Sequence, residues 1–205
     1  MSTLGQEMDI ERYHSIIRSR IKERAPIPLE EELITAYLEI LQFRQLRKKQ
    51  YLIQPGFPNK DQFYVVEGAF RTFFIDNEGK EQTILFAIED WFISDAQSYL
   101  TGEPATLFVE ALEDSTVAIL PREAFEELCD RYPKWQKATR IYIMRGYAYM
   151  QKRMVANLQK SAEERYLDFV RDYREIEQRV PRYALASYLI MSQEYLSKIR
   201  KKLMS

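Results

Sequence analysis

A chain of 205 residues, 46% hydrophobic and 30% charged, has the composition of a soluble globular protein with one large domain or two small ones. One cysteine (Cys129) and one histidine (His14) exclude an internal disulfide, a cysteine-held zinc or iron–sulfur site and multi-histidine metal chemistry, and the six glycines form no phosphate-cradling loop. No apolar run of ~18 residues could span a membrane and the acidic N-terminal segment lacks a signal peptide's apolar core, so a reducing cytoplasm is expected, with no metal and no cofactor.

In chain order, Ile10, Tyr13, Ile17 and Ile21 along one side of residues 6–24 predict a helix, which Ala25-Pro26-Ile27-Pro28 breaks. A second helix is expected over about 29–41, with Glu30, Glu31 and Glu32 at its positive end. From about residue 42 to 120 the period shortens. Runs rich in β-branched and aromatic residues, at 50–53, 62–67, 69–75, 82–87, 107–112 and 115–120, alternate with turn signals such as Pro55-Gly56 and Gly102-Glu103-Pro104. Asp76-Asn77-Glu78-Gly79 reads as a hairpin turn, because Asn and Gly tolerate positive φ. Strands this short and this closely spaced predict an antiparallel sandwich or barrel. A short helix follows over 122–130, in which Cys129 reads as a small buried hydrophobe.

Residues 131–160 carry eight bases and no acid. Ile141, Met144, Ala148, Gln151, Val155 and Leu158 recur at steps of three and four, a short heptad seam on one long helix, and Trp135, Tyr142, Tyr147 and Tyr149 widen the apolar stripe. So wide a face needs a partner. The expectation is a two-fold dimer through this helix together with packing on the β domain; the alternative is a helix that only caps its own barrel. Ser161-Ala162-Glu163-Glu164 is a capping box that starts a new helix over 161–178, with Tyr166, Leu167, Phe169, Val170 and Tyr173 as core candidates. Residues 161–205 suffice for a small three-helix domain.

Its last stretch, 179–203, reads as two short helices with a tight turn. Leu185, Leu189, Met191, Leu196, Ile199 and Leu203 are apolar, and the small Ala184 and Ala186 allow a close crossing. Ser192 is a plausible N-cap that leaves Gln193, Glu194, Lys198 and Arg200 on the free face. A short polar helix held across another is the helix-turn-helix geometry that enters a DNA major groove. Residues 179–205 carry six bases and one acid, a net +5; subtracting from the chain's 30 bases and 31 acids leaves 24 and 30, a net −6, for residues 1–178. An overall charge of −1 therefore hides a basic end suited to phosphates. The bland alternative is a helical hairpin with a solvated basic face.

A β-roll of ~110 residues, a long helix and a terminal helix-turn-helix, in that order, resemble the cyclic-AMP receptor protein/fumarate-nitrate regulator (Crp/Fnr) superfamily over nearly the whole chain. The residues that carry the resemblance are Tyr64-Val65-Val66-Glu67-Gly68, Ser161-Ala162-Glu163-Glu164-Arg165, and residues 182–203. Within the superfamily the chain is most like regulators common in Bacteroidetes, where segments like Ile93-Ser94-Asp95, Thr101-Gly102-Glu103-Pro104-Ala105-Thr106 and a terminal Arg200-Lys201-Lys202-Leu203 also occur.

The resemblance implies an α+β chain in three parts: residues 1–130, an antiparallel β-roll of the double-stranded β-helix (jelly-roll) type with flanking helices; 131–160, the dimerisation helix; 161–205, the DNA-binding head. It implies a dimeric transcription regulator on a palindromic double-stranded DNA operator, with a small-molecule effector on the roll and RNA polymerase as a further partner. By position, Gln193, Glu194 and Lys198 would read bases, pairing with adenine, cytosine and guanine respectively. Arg182, Ser192, Arg200, Lys201 and Lys202 would touch phosphates.

Three departures stand against the family pattern. Ser94-Asp95 occupies the place of the Gly-Glu pair that holds a cyclic nucleotide's ribose, and no arginine lies between Arg71 and Arg122 to meet its phosphate. An effector other than cyclic AMP or cyclic GMP is therefore expected, with Ser94, Asp95 and Thr106 as candidate pocket residues. Ile190 stands where the turn usually has glycine, so a reshaped turn is expected. The chain ends two residues past Leu203, leaving none for the hairpin that often follows the recognition helix. The alternatives are an effector-binding or protein-interaction module that has lost specific DNA recognition, and a barrel enzyme. The latter would have to draw on acids such as Asp95, Glu103 and Glu110, for which surface or turn roles are the plainer reading; no enzyme activity is expected.

Overall fold

The computed structural model describes residues 9–204; the first turn expected at 6–8, and most of the N-terminal segment read for a signal peptide, lie outside the described residues. The first helix starts where its cap does. The Asp9 carboxylate accepts from the Arg12 backbone N–H at 2.9 Å, and α1 runs Ile10–Arg24, stopping just short of Pro26. Helix α2 is Glu31–Glu39.

Eight strands follow: β1 Gln42–Leu46, β2 Tyr51–Ile53, β3 Asp61–Glu67, β4 Phe70–Ile75, β5 Glu81–Ala87, β6 Phe92–Ile93, β7 Phe108–Ala111 and β8 Ser115–Pro121, with helix α3, Ala96–Thr101, between β6 and β7. They form two antiparallel four-stranded sheets, in the orders β1-β8-β3-β6 and β2-β7-β4-β5. Strand β3 is buried on both faces. Phe63 and Val65 point between the sheets with Phe70, Val109 and Val117, while Tyr64 and Val66 point outward with Ala118 and Leu120. The two-residue turn between β3 and β4 needs Gly68, because a Cβ there would lie 2.1 Å from the Ser115 hydroxyl. The expected hairpin at Asp76 is present. Gly79 takes φ +79, and the Asp76 carboxylate accepts from the Gln82 amide and from the backbone of Lys80 and Glu78, which together hold it below the usual carboxylate range.

Helix α4, Arg122–Arg131, buries Cys129 as expected, and burial pushes its thiol up to about 11. Helix α5, Lys134–Gln159, is the long helix. The capping box at Ser161 and Glu164 opens α6, Ala162–Asp172. Here the structure corrects the sequence reading. Tyr173 leaves the helix at φ −140, and a separate α7 runs Arg174–Arg179, so four helices follow residue 160, not three. The Tyr173 ring is held by aromatic contacts from outside its own helix, Trp91 and Tyr149, both at 5.9 Å, and by Phe169 of α6 at 5.6 Å. Leu167, expected in the core, is 44% exposed. Helices α8, Arg182–Tyr188, and α9, Gln193–Met204, complete the chain.

Helices α6–α9 share a core with the roll. Tyr166, Phe169, Leu185, Leu189, Leu196 and Ile199 pack in one cluster with Ala69, Phe86 and Leu112, and α8 lies along β5.

Candidate nucleic-acid interface

Helix α8 closes with two backbone bonds. Ile190 N–H donates to Ser187 O and Met191 N–H to Ala186 O, both at 3.0 Å, the paired pattern of a left-handed helix end. That end is where glycine usually stands. Ile190 takes φ +54 with its side chain 61% exposed, so the expectation of a reshaped turn is wrong. The conformation is secured by Arg165, whose guanidinium donates to Leu189 O at 2.9 Å, Ile190 O at 3.3 Å and Lys160 O at 2.6 Å. Arg165 was legible only as part of the Ser161–Arg165 motif; nothing in its local spacing foretold that it would cap another helix.

Across the turn, Ser192 caps α9 by accepting from the Tyr195 N–H at 3.1 Å. Leu196 and Ile199 are buried, which turns Gln193, Glu194 and Lys198 to solvent on the other side of α9. Hydrogen bonds from its own backbone N–H and from the Ser192 hydroxyl, with Lys198 nearby, hold the Glu194 carboxyl below the usual range. It is therefore an acceptor at neutral pH, the form that can take a cytosine amino group.

The five phosphate candidates divide. Arg182, Ser192 and Lys201 are exposed. Arg200 is turned inward: its guanidinium meets the buried Glu177 at 2.7 Å, and the Tyr166 hydroxyl donates to the same carboxylate at 3.2 Å. Lys202 pairs with Glu163 of α6 at 2.8 Å. Sequence alone gave no sign of either acid, because both partners are remote along the chain.

Helix α5 has two faces of different kind. Met144, Ala148, Gln151, Val155 and Leu158 are exposed and Ile141 is half-buried. Ile143, Tyr147, Met150 and Met154, of which only Tyr147 was noted from sequence, widen this uncovered face. Trp135, Tyr142 and Tyr149 do not widen it: they look the other way, onto the roll and the head. There the Tyr149 and Tyr188 hydroxyls hydrogen-bond, and Arg153 stacks over Tyr188 at 3.9 Å while donating to Tyr188 O at 3.0 Å.

Ser94, Asp95 and Thr106 come together, and their polar groups serve the fold. The Asp95 carboxylate, 1% exposed, accepts from the backbone of Ser98 at 3.1 Å, Thr106 at 2.9 Å and Leu107 at 3.1 Å. The Ser94 hydroxyl donates to Asp61 O at 3.0 Å and accepts from the Asn59 amide at 2.8 Å. A cavity of about 240 Å³ beside β2 reaches Asn59, the partner of Ser94, but none of the three candidates lines it; two further cavities lie elsewhere. One, of about 510 Å³, separates the end of α5 from α6 and α8 and is walled by Tyr149, Phe169 and Tyr173. The other, of about 250 Å³, lies between α1, α5 and the outer face of the first sheet. Among the described residues no group of three or more His, Cys, Asp and Glu could hold a metal ion, and no helix is long and apolar enough to cross a membrane.

The family described as the cyclic nucleotide-binding domain matches residues 43–132. The Pseudomonas aeruginosa transcriptional activator protein anr is 28% identical over 127 residues, 62% of this chain and 51% of that protein, so the match takes in about half of that relative's length. The Vibrio cholerae fumarate and nitrate reduction regulatory protein is 23% identical over 187 residues, 85% of this chain and 74% of its own. Among solved structures, the c-di-GMP responsive global regulator CLP of Xanthomonas campestris superposes with a TM-score of 0.70 at 15% identity, covering 85% of this chain and 92% of that one. That likeness is one of fold.

Proposed function

This chain belongs to the Crp/Fnr superfamily, and from that premise we propose that it is a dimeric cytoplasmic transcription regulator, not an enzyme, that reads a palindromic DNA operator through α9. The observation that carries this is the capped α9 behind the α8 turn, with Gln193, Glu194 and Lys198 on its solvent face. These three would read bases, and Arg182, Ser192 and Lys201 would hold phosphates. Arg200, engaged by Glu177, serves the head's own structure, and Lys202 reaches a phosphate only by leaving Glu163.

The reading divides the chain at residues 130 and 160 into roll, dimer helix and head. The exposed face of α5 from Ile141 to Leu158 would meet its two-fold copy, setting two α9 helices on successive major grooves ~34 Å apart. RNA polymerase is a partner on this reading. So is a small-molecule effector, which would act by shifting the balance between head orientations.

The test is selection of genomic DNA fragments by the purified protein at near-physiological salt. A palindromic motif should be enriched, and Lys198→Ala should weaken the selected site by about ten- to a hundredfold while leaving melting unchanged. Uniform weak binding to all fragments would sink this reading in favour of an interaction module without DNA specificity.

A further inference from the structure

The cavity of about 250 Å³ outside the roll has a chemistry that no role above uses. Its floor is the outward side of the first sheet. Tyr64 and Phe92 stand edge-to-face with centroids 5.2 Å apart, and Tyr142 of α5 packs edge-on to Phe92 at 6.2 Å. All three rings line the cavity, so one wall of it is aromatic.

Its rim is cationic. Arg20 and Arg24 of α1 both pair with Asp90, Arg20 at 2.8 Å, and the Tyr64 hydroxyl donates to the same carboxylate at 2.8 Å. Arg145 of α5 also lines the cavity, and among the described residues it makes no ion pair. One carboxylate against three guanidiniums leaves a net +2 around a half-enclosed recess, where charge is poorly screened. Asp90 itself is held at φ +72, a conformation retained where surrounding contacts over-determine it. The volume of about 250 Å³ is enough for a ligand of one or two rings. The cavity is separate from the exposed face of α5, because Tyr142 lies on that helix's roll-facing side.

We propose that this cavity binds a small aromatic carboxylate, its ring among Tyr64, Phe92 and Tyr142 and its carboxylate on Arg145 and Arg24. As an effector site it rests on the regulator reading; as a binding site it does not.

Both tryptophans of the chain, Trp91 and Trp135, line the cavity, so emission reports on it directly. The full chain is titrated with benzoate, phenylacetate and indole-3-acetate, with phenylacetamide and hexanoate as uncharged and non-aromatic counterparts, by calorimetry and tryptophan emission. At least one aromatic acid should bind saturably, and its two counterparts about tenfold or more weakly. Arg145→Met should weaken it about ten- to a hundredfold without moving the melting temperature; Tyr142→Ala should weaken the aromatic acid but not hexanoate. No saturable binding at millimolar acid overturns the proposal. So does binding that Arg145→Met leaves unchanged, or hexanoate binding as tightly. Saturable binding to a protein that selects no DNA would uphold the site while removing the regulator reading, and DNA selection with no acid bound would do the reverse.

Discussion

The two sheets of the roll are covered in different ways. Over β1-β8-β3-β6 lie Ile17, Ile34, Leu38, Leu128 and Trp135 from α1, α2, α4 and α5, an apolar layer continuous with Tyr64 and Leu120 beneath. Over β2-β7-β4-β5 lies the head. Its contact has an apolar centre, Phe86 against Tyr188 at 5.1 Å and Phe169 at 6.4 Å, inside a polar ring. Arg179 pairs with Glu89 at 2.7 Å and with Glu113. The Ser187 hydroxyl accepts from Thr83 N–H at 2.9 Å and donates to Glu81 O at 3.0 Å. Buried Arg71, paired with Glu110 and Glu81 at 2.6 Å, lies under the Tyr183 ring at 5.0 Å. Apolar burial is not weakened by ionic screening and hardly responds to pH, whereas ion pairs respond to both. The apolar cover thus belongs to the folding unit of the roll, while the polar-ringed head is the cover that salt and acid can loosen.

The largest effect should fall on the apolar cover. Trp135 is 5% exposed and stacks on Tyr37 at 4.4 Å, so Trp135→Ala should cost about 3–5 kcal/mol in urea unfolding of the whole roll. A loss no greater than that of a surface substitution would mean that the apolar cover is not part of the roll's folding unit. The polar cover should give less, and give it locally. Arg179→Met leaves Glu89 and Glu113 facing each other; about 1–2 kcal/mol is expected, discounted for partial exposure and seen as faster hydrogen exchange in α8 with the roll strands unchanged.

Acid should act on the same contact. Burial raises the Glu89 carboxyl, but Arg179 and the Gly68 N–H, at 2.7 Å, outweigh it and hold the group below the usual range. A depressed folded value means that the contribution is complete above the ordinary glutamate value of ~4.3 and is lost as pH falls through the lower one. Protection of the head amides, with the intrinsic pH dependence of exchange divided out, should therefore fall only in acid, stay flat towards pH ~8, and lose this acid response in Arg179→Met. The smallest effect tests the turn alone. Ile190→Gly should relieve the left-handed strain and stabilise the head by about 0.5–1 kcal/mol, net of glycine's extra freedom when unfolded, with neither sheet cover altered.

What was legible in the sequence was local. The Ser161–Glu164 box and the Asp76 turn act within four residues, and each spacing names its own hydrogen bonds; the Asp9 cap, equally local, was not legible, because the apolar period ran through it. An antiparallel sandwich or barrel followed from the spacing of runs and turns, and the roll from the family resemblance, although β6 is only two residues long and β1 alternates polar with aromatic too weakly to stand out. Features set by distant partners were not legible. Tyr173 breaks its helix for Trp91 and Tyr149, and Arg200 leaves the free face of α9 for Glu177. Ile190 failed for another reason: glycine is the cheapest residue at such a turn, but the cost of replacing it is small enough for Arg165 and the closing backbone bonds to hold the shape.

The Asp95 carboxylate, bonded to the backbone of Thr106 and Leu107, is fastened to the same chain as the groups it binds. A partner so attached behaves as a ligand at a standing effective concentration, of millimolar order even for a loose tether and higher for one fixed in place. A dissolved anion aiming at those two N–H groups competes with an occupant that never diffuses away. Dissolved anions therefore compete poorly for this corner, and dilution, which empties ordinary binding sites, leaves it filled.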